Sequence, residues 1–108
     1  MVDIYGVDVS TEAKEMIVEI YEYLSDNVSE TTAQHVAMGI ANAIESLEKM
    51  PTGLPIQHNI SSEQRTFRFL LKWKYKIIFY VDEDAKVVRV VAVGHSSQNP
   101  DRLKGIIE

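Results

Sequence analysis

The hydrophobic period of this chain changes once, at a turn-rich stretch, Pro51-Thr52-Gly53-Leu54-Pro55. Before it, apolar residues recur at steps of three and four. From Arg65 onward they recur at every second position. The first period is that of a helix face and the second that of a pleated strand, so the two halves must build different structures. Between residues 10 and 26, Ala13, Met16, Ile17, Ile20, Tyr21 and Leu24 form one stripe, with Glu12, Glu15, Glu19, Glu22 and Asp26 largely off it. Ser10 or Thr11 caps that helix, and the early glutamates suit the positive end of its dipole. A second helix starts at Ser29 with the face Ala33, Val36, Ala37, Ile40, Ala41, Ile44 and Leu47, and Pro51 closes it. Its alanines and Gly39 allow a close neighbour. The short gap between the helices forces an antiparallel hairpin.

Residues 4–9 read as a first strand, with Gly6 as its weak point. In the second half, Phe67, Phe69 and Leu71 alternate with Arg68 and Leu70, and Tyr75, Ile77, Phe79 and Val81 with Lys76, Ile78 and Tyr80. The run Asp82-Glu83-Asp84-Ala85 reads as a turn, and residues 87–94 as a third strand of the meander. Ile78, Tyr80, Val88, Val90 and Ala92 make the second sheet face apolar as well, which predicts a cover supplied by the chain's tail or by a partner. Residues 100–107 read as a short C-terminal helix. The expected fold is α+β: an N-terminal strand, an antiparallel helix hairpin, then an antiparallel meander.

A chain of 108 residues fits a single domain spanning residues 1–108, and its size supports a core without disulfides, which the lack of cysteine excludes in any case. The apolar run Ile77-Ile78-Phe79-Tyr80-Val81 is far short of the roughly 20 residues of a membrane span. Met1-Val2-Asp3-Ile4 places acid where a signal peptide needs base. The expectation is a cytoplasmic protein with no membrane partner.

The net charge of −5 opposes broad nucleic-acid affinity, yet it is unevenly spread. Residues 1–54 hold ten acids and two bases, whereas residues 55–108 hold six acids and nine bases. Such asymmetry suggests a basic working surface in the second half. Five bases, Arg65, Arg68, Lys72, Lys74 and Lys76, fall in twelve residues without an acid. Side chains of this type hold phosphates and neutralise the charge that develops when a phosphodiester is cleaved. They are also ordinary residues for the solvent face of amphipathic strands. Arg68 and Lys76, on successive strands, are expected to face one side. His95, in the polar stretch Gly94-His95-Ser96-Ser97-Gln98-Asn99-Pro100, is the histidine placed where a proton-transfer group would sit. A capped turn accounts for the same residues. Trp73, between Lys72 and Lys74, either stacks on a base or folds onto the sheet. No HxxH, HExxH or acidic cluster suggests a metal.

The order of these features resembles the RelE/ParE superfamily of type II toxins, the toxic halves of toxin–antitoxin modules, also called plasmid stabilisation proteins. The features that carry the likeness are Arg68 before the turn, Tyr75-Lys76-Ile77-Ile78-Phe79-Tyr80, and Val93-Gly94-His95 through Asn99-Pro100; upstream, the Ala-rich second helix and Leu47 to Pro51 match too. The resemblance implies growth arrest, no cofactor, and neutralisation by a cognate antitoxin in a heterocomplex, with a homodimer also open. Its ParE-like members poison DNA gyrase, and its RelE-like members cut mRNA on the ribosome. The resemblance matches Arg68, Lys72 or Lys74, and Lys76 to basic positions that the nucleases use; on the nuclease hypothesis Arg68 and Lys76 stabilise charge, His95 transfers a proton, and Arg65, Lys72, Trp73 and Lys74 bind substrate. Where those nucleases carry an Arg after the last strand, this chain has His95-Ser96-Ser97, and no tyrosine follows Tyr80. A gyrase-directed toxin is the first expectation; the ribosome-dependent endoribonuclease and a non-toxic, antitoxin-binding homologue are the alternatives.

Overall fold

The computed structural model describes residues 4–96. The elements are β1 (Gly6–Val9), α1 (Thr11–Asn27), α2 (Glu30–Glu45), β2 (Arg68–Lys72), β3 (Tyr75–Asp82) and β4 (Val87–His95), with three short 3₁₀ turns between α2 and β2. The expected helix at residues 100–107 lies outside the described residues. Both helices start on serine. The Ser10 hydroxyl accepts the Ala13 amide at 3.0 Å, and the Ser29 hydroxyl accepts the Thr32 amide at 3.0 Å. These bonds satisfy amides that no preceding turn can reach. Only Val28 and Ser29 separate the helices, which therefore run antiparallel.

The sheet order is β1-β4-β3-β2. The two hairpins of the meander are antiparallel, as the alternation requires, whereas β1 joins the edge of β4 in parallel. The helix hairpin is the crossover between β1 and the meander, and it packs on one sheet face. There Ile40, Ile44 and Leu47 meet Ile77, Phe79, Val88, Val90 and Val93, with Ile17 and Ile20 packed alongside. Burying a side chain of this class contributes about 1.5–3 kcal/mol.

One expectation about the second face is corrected. Val88 and Val90 do not belong to it. The register slips between Ile78 and Phe79, so Ile78 opposes Ala92 while Phe79 opposes Val90, leaving Val91 as the extra residue of a bulge. The bulge shifts the phase of β4 by one, sending Val88, Val90 and Val93 toward the helices while Ala92 joins Ile78 on the other side. Part of that second face is covered by the connection between α2 and β2. Phe67 and Ile60 lie on Ile78, Ala92 and Tyr80, and Met16 closes in from α1. The connection is held by Ser61, whose hydroxyl donates to the Gln57 carbonyl at 2.8 Å and accepts the Phe67 amide at 2.9 Å.

Candidate functional site

Register decides where the seven candidate side chains point. The two-residue turn Trp73-Lys74 sets Lys72 opposite Tyr75, and hence Arg68 opposite Phe79 and Leu71 opposite Lys76. Directly opposed residues share a face. Arg68 therefore lies on the helix side with Phe79, while Lys76 lies on the other side with Leu71 and Phe69. The expectation that Arg68 and Lys76 share a face is corrected. On the next strand His95 opposes Tyr75, on the helix side. Arg68 and His95 share that side but sit two strands apart, at opposite ends of the sheet, with about 13 Å of offset along the strand. Arg68, Lys76 and His95 do not converge.

Arg68 and Lys76 are instead tied to the same connection. The Arg68 Nη1 donates to the Leu54 carbonyl at 2.6 Å. The Lys76 Nζ donates to the Gln57 Oε1 at 3.0 Å and lies 4.5 Å from the centre of the Phe69 ring. Gln57 is buried, so that charge-assisted bond is partly shielded from water. The Arg65 guanidinium sits 4.1 Å above Tyr80. Arg65, Arg68, Tyr80, Asp82, Glu83 and Asp84 all line one open cleft of about 520 Å³. A cleft carrying both signs does not concentrate a polyanion. His95 is exposed, and its ring meets Tyr75 edge-on at 6.0 Å.

Trp73 does not fold onto the sheet. It turns toward α2, where its ring stacks on His35 at 5.0 Å. The Lys72 Nζ lies 4.6 Å from the Trp73 ring centre. The Trp73 backbone takes a φ of 54°, a left-handed conformation that costs a bulky residue about 1–2 kcal/mol. Gly39 explains how the ring fits, since a Cβ there would strike its far edge. The close neighbour that Gly39 admits is thus the hairpin tip. His35, Gly39 and Gln57 are the site residues that sequence reasoning missed, and the signal for one of them was a glycine inside an alanine-rich helix. Gly39→Ala should displace the ring. Overpacking costs about 1–3 kcal/mol, and the gain in helix propensity returns up to about 1, so net stability should fall only modestly. Emission from Trp73, the single tryptophan, should shift to the red. Unchanged emission would contradict the contact.

Among the described residues no group of three His, Cys, Asp or Glu side chains could hold a metal, and no helix is long and apolar enough to cross a membrane. Chemically, the arrangement offers basic side chains fixed singly to a covering loop, and a hairpin tip with an exposed aromatic edge.

A four-stranded sheet with one parallel edge strand, carrying a helix hairpin on one face, is also found in three solved proteins. The chromosomal ParDE toxin–antitoxin system of P. aeruginosa aligns with a TM-score of 0.69 at 15% identity, over 86% of this chain and 97% of that one. The RelBE2 toxin–antitoxin complex of Mycobacterium tuberculosis gives 0.62 at 14% identity, over 85% and 98%. A doubly arginine-substituted E. coli toxin RelE in the free state gives 0.52 at 13% identity, over 96% of each. At such identities the likeness is one of fold. No curated protein matches the sequence. Residues 7–100 match the model of the ParE toxin of type II toxin–antitoxin systems, parDE. The chain belongs to the ParE toxin family, within the RelE/ParE superfamily.

Proposed function

We propose that this toxin arrests growth by acting on DNA gyrase and that a cognate antitoxin holds it inactive. The observation that carries the reading is the dispersal of Arg68, Lys76 and His95. Cleaving a phosphodiester needs a charge-stabilising donor and a proton-transfer group within hydrogen-bond reach of one phosphate. Here Arg68 and Lys76 occupy opposite faces, each bonded to the connection between α2 and β2, and His95 stands at the far end of the sheet. A binding inhibitor needs no such convergence. The antitoxin is carried over from the ParDE and RelBE2 relatives, which are toxin–antitoxin assemblies. The test is expression without a partner protein, for the unmutated chain and for Lys76→Ala combined with His95→Ala. Growth arrest with broken DNA should appear in both. Arrest that disappears in a folded double variant would favour the ribonuclease, and an unmutated chain that fails to arrest growth would mark a non-toxic, antitoxin-binding homologue.

A further inference from the structure

The strand β3 outruns its neighbour. Its ladder to β2 begins at the pair Arg68–Phe79, while β3 itself continues to Asp82. Upstream of Phe67 the chain bends away, with the Ser62 amide donating to the Arg65 carbonyl at 2.9 Å. The Phe69 amide donates outward to the Pro55 carbonyl at 3.1 Å, so Arg68 turns its backbone groups toward Phe79. The bulge lies in β4 and leaves the alternation of β3 intact. Val81 therefore turns its amide and carbonyl to the same side as Phe79, past the end of β2. Thr66, the residue that would oppose Val81, makes no backbone hydrogen bond to it among the described residues.

Val81 belongs to the lining of the open cleft described above, whose volume of about 520 Å³ is that of a small-ligand site. Charge is ordered along β3 beside it. Arg68 is level with Phe79 and Arg65 lies over Tyr80, whereas Asp82 follows Val81 and leads into Glu83 and Asp84. Phe79 and Asp82 are three residues apart, or about 10 Å along the strand. Asp82 meets Arg89 and the Ala85 amide, and Glu83 meets Tyr5 and Lys86. Asp84 forms no ion pair among the described residues. There too the Arg65 guanidinium meets only the Tyr80 ring.

We propose that this cleft binds a free tripeptide as a zwitterion, laid antiparallel to the end of β3. Its central residue exchanges both backbone hydrogen bonds with Val81. Antiparallel order then sets the first residue beside Asp82, with its ammonium toward Asp82 and Asp84. The third residue falls beside Tyr80, with its carboxylate toward Arg65 and Arg68. Three extended residues span about 10 Å, the spacing of the two charged ends. Bonds in which one partner is ionised are about twice as strong as neutral ones, which makes the termini the selective features. An internal stretch of a longer chain carries neither terminal charge and lacks this match. Hydrolysis of proteins is the class of reaction that supplies such a ligand. The inference goes beyond the gyrase reading and does not depend on it.

The probe is trialanine, added to the full chain and followed by amide exchange. At about ten times its dissociation constant it should slow exchange of the Val81 amide about tenfold. Acetylating its amino end, or amidating its carboxyl end, should each weaken binding about fivefold, the upper range for an exposed ion pair. These arms require no protein variant. Arg65→Gln and Asp84→Asn, both at exposed positions, should each weaken binding of the unblocked peptide by a similar factor. The proposal is overturned if trialanine fails to bind at about 10 mM, if the doubly blocked peptide binds as well, or if Val81 exchange stays unchanged on binding. It is overturned equally if acetate alone reproduces the effect, which would mark a simple anion site. Growth arrest is measured separately, so failure here leaves the toxin reading intact, and loss of toxicity leaves the cleft testable.

Discussion

Replacing Phe79 by alanine should destabilise the fold by about 3–5 kcal/mol, the range for deleting a fully buried aromatic side chain. Phe79 is 0% exposed and packs in the core shared by Ile40, Leu47 and Val90. It also lies where the ladder slips past Val91, so two layers of packing depend on it. Domains of this size are stable by about 5–15 kcal/mol, which makes the loss a large share of the total. Phe69, on the opposite face and only half-buried, should cost clearly less when truncated. Denaturant melts compare the two. A loss for Phe79→Ala below about 1 kcal/mol would mean that β3 presents its other face to the helices.

That face assignment shows how far the sequence could be read. The stripes of both helices, their serine caps and the antiparallel meander follow from local rules, and each appears where periodicity places it, except that Ala41 is exposed and Ala43 packs on the core in its place. Ile20 and Ile40 do share one core. Val88 and Val90 were legible as strand residues but not as helix-facing ones, because a bulge at Val91 carries no glycine or proline to announce it. The parallel pairing of β1 with β4 depends on contacts across some eighty residues, which no local pattern encodes. Arg68 and Lys76 were separable in principle. Once Trp73-Lys74 is taken as a two-residue turn, Lys72 opposes Tyr75, and simple parity puts the two bases on opposite faces. A tryptophan with φ of 54° is the reason that turn is easy to miss, since the position favours glycine or asparagine. The partner of Gly39 was illegible because it lies on another element.

The second large effect concerns chemistry, and it takes the form of a loss that should not occur. If Lys76 stabilised charge on a scissile phosphate, its removal would cost about 10²–10³-fold in rate. If His95 transferred a proton, its removal would cost about 10²–10⁴-fold. In the proposed account neither side chain touches a reacting atom, so Lys76→Ala should act only through its bond to Gln57 and its packing on Phe69. The expected outcome is a slightly less stable protein of near-unchanged potency. His95→Ala should likewise leave potency near-unchanged.

Purified unmutated protein, assayed side by side on two targets, tests the central claim most directly. Added to DNA gyrase with relaxed plasmid, it should inhibit supercoiling or trap broken DNA, and added to translating ribosomes it should leave mRNA intact. Cleavage of mRNA on ribosomes, with gyrase unaffected, would contradict the account.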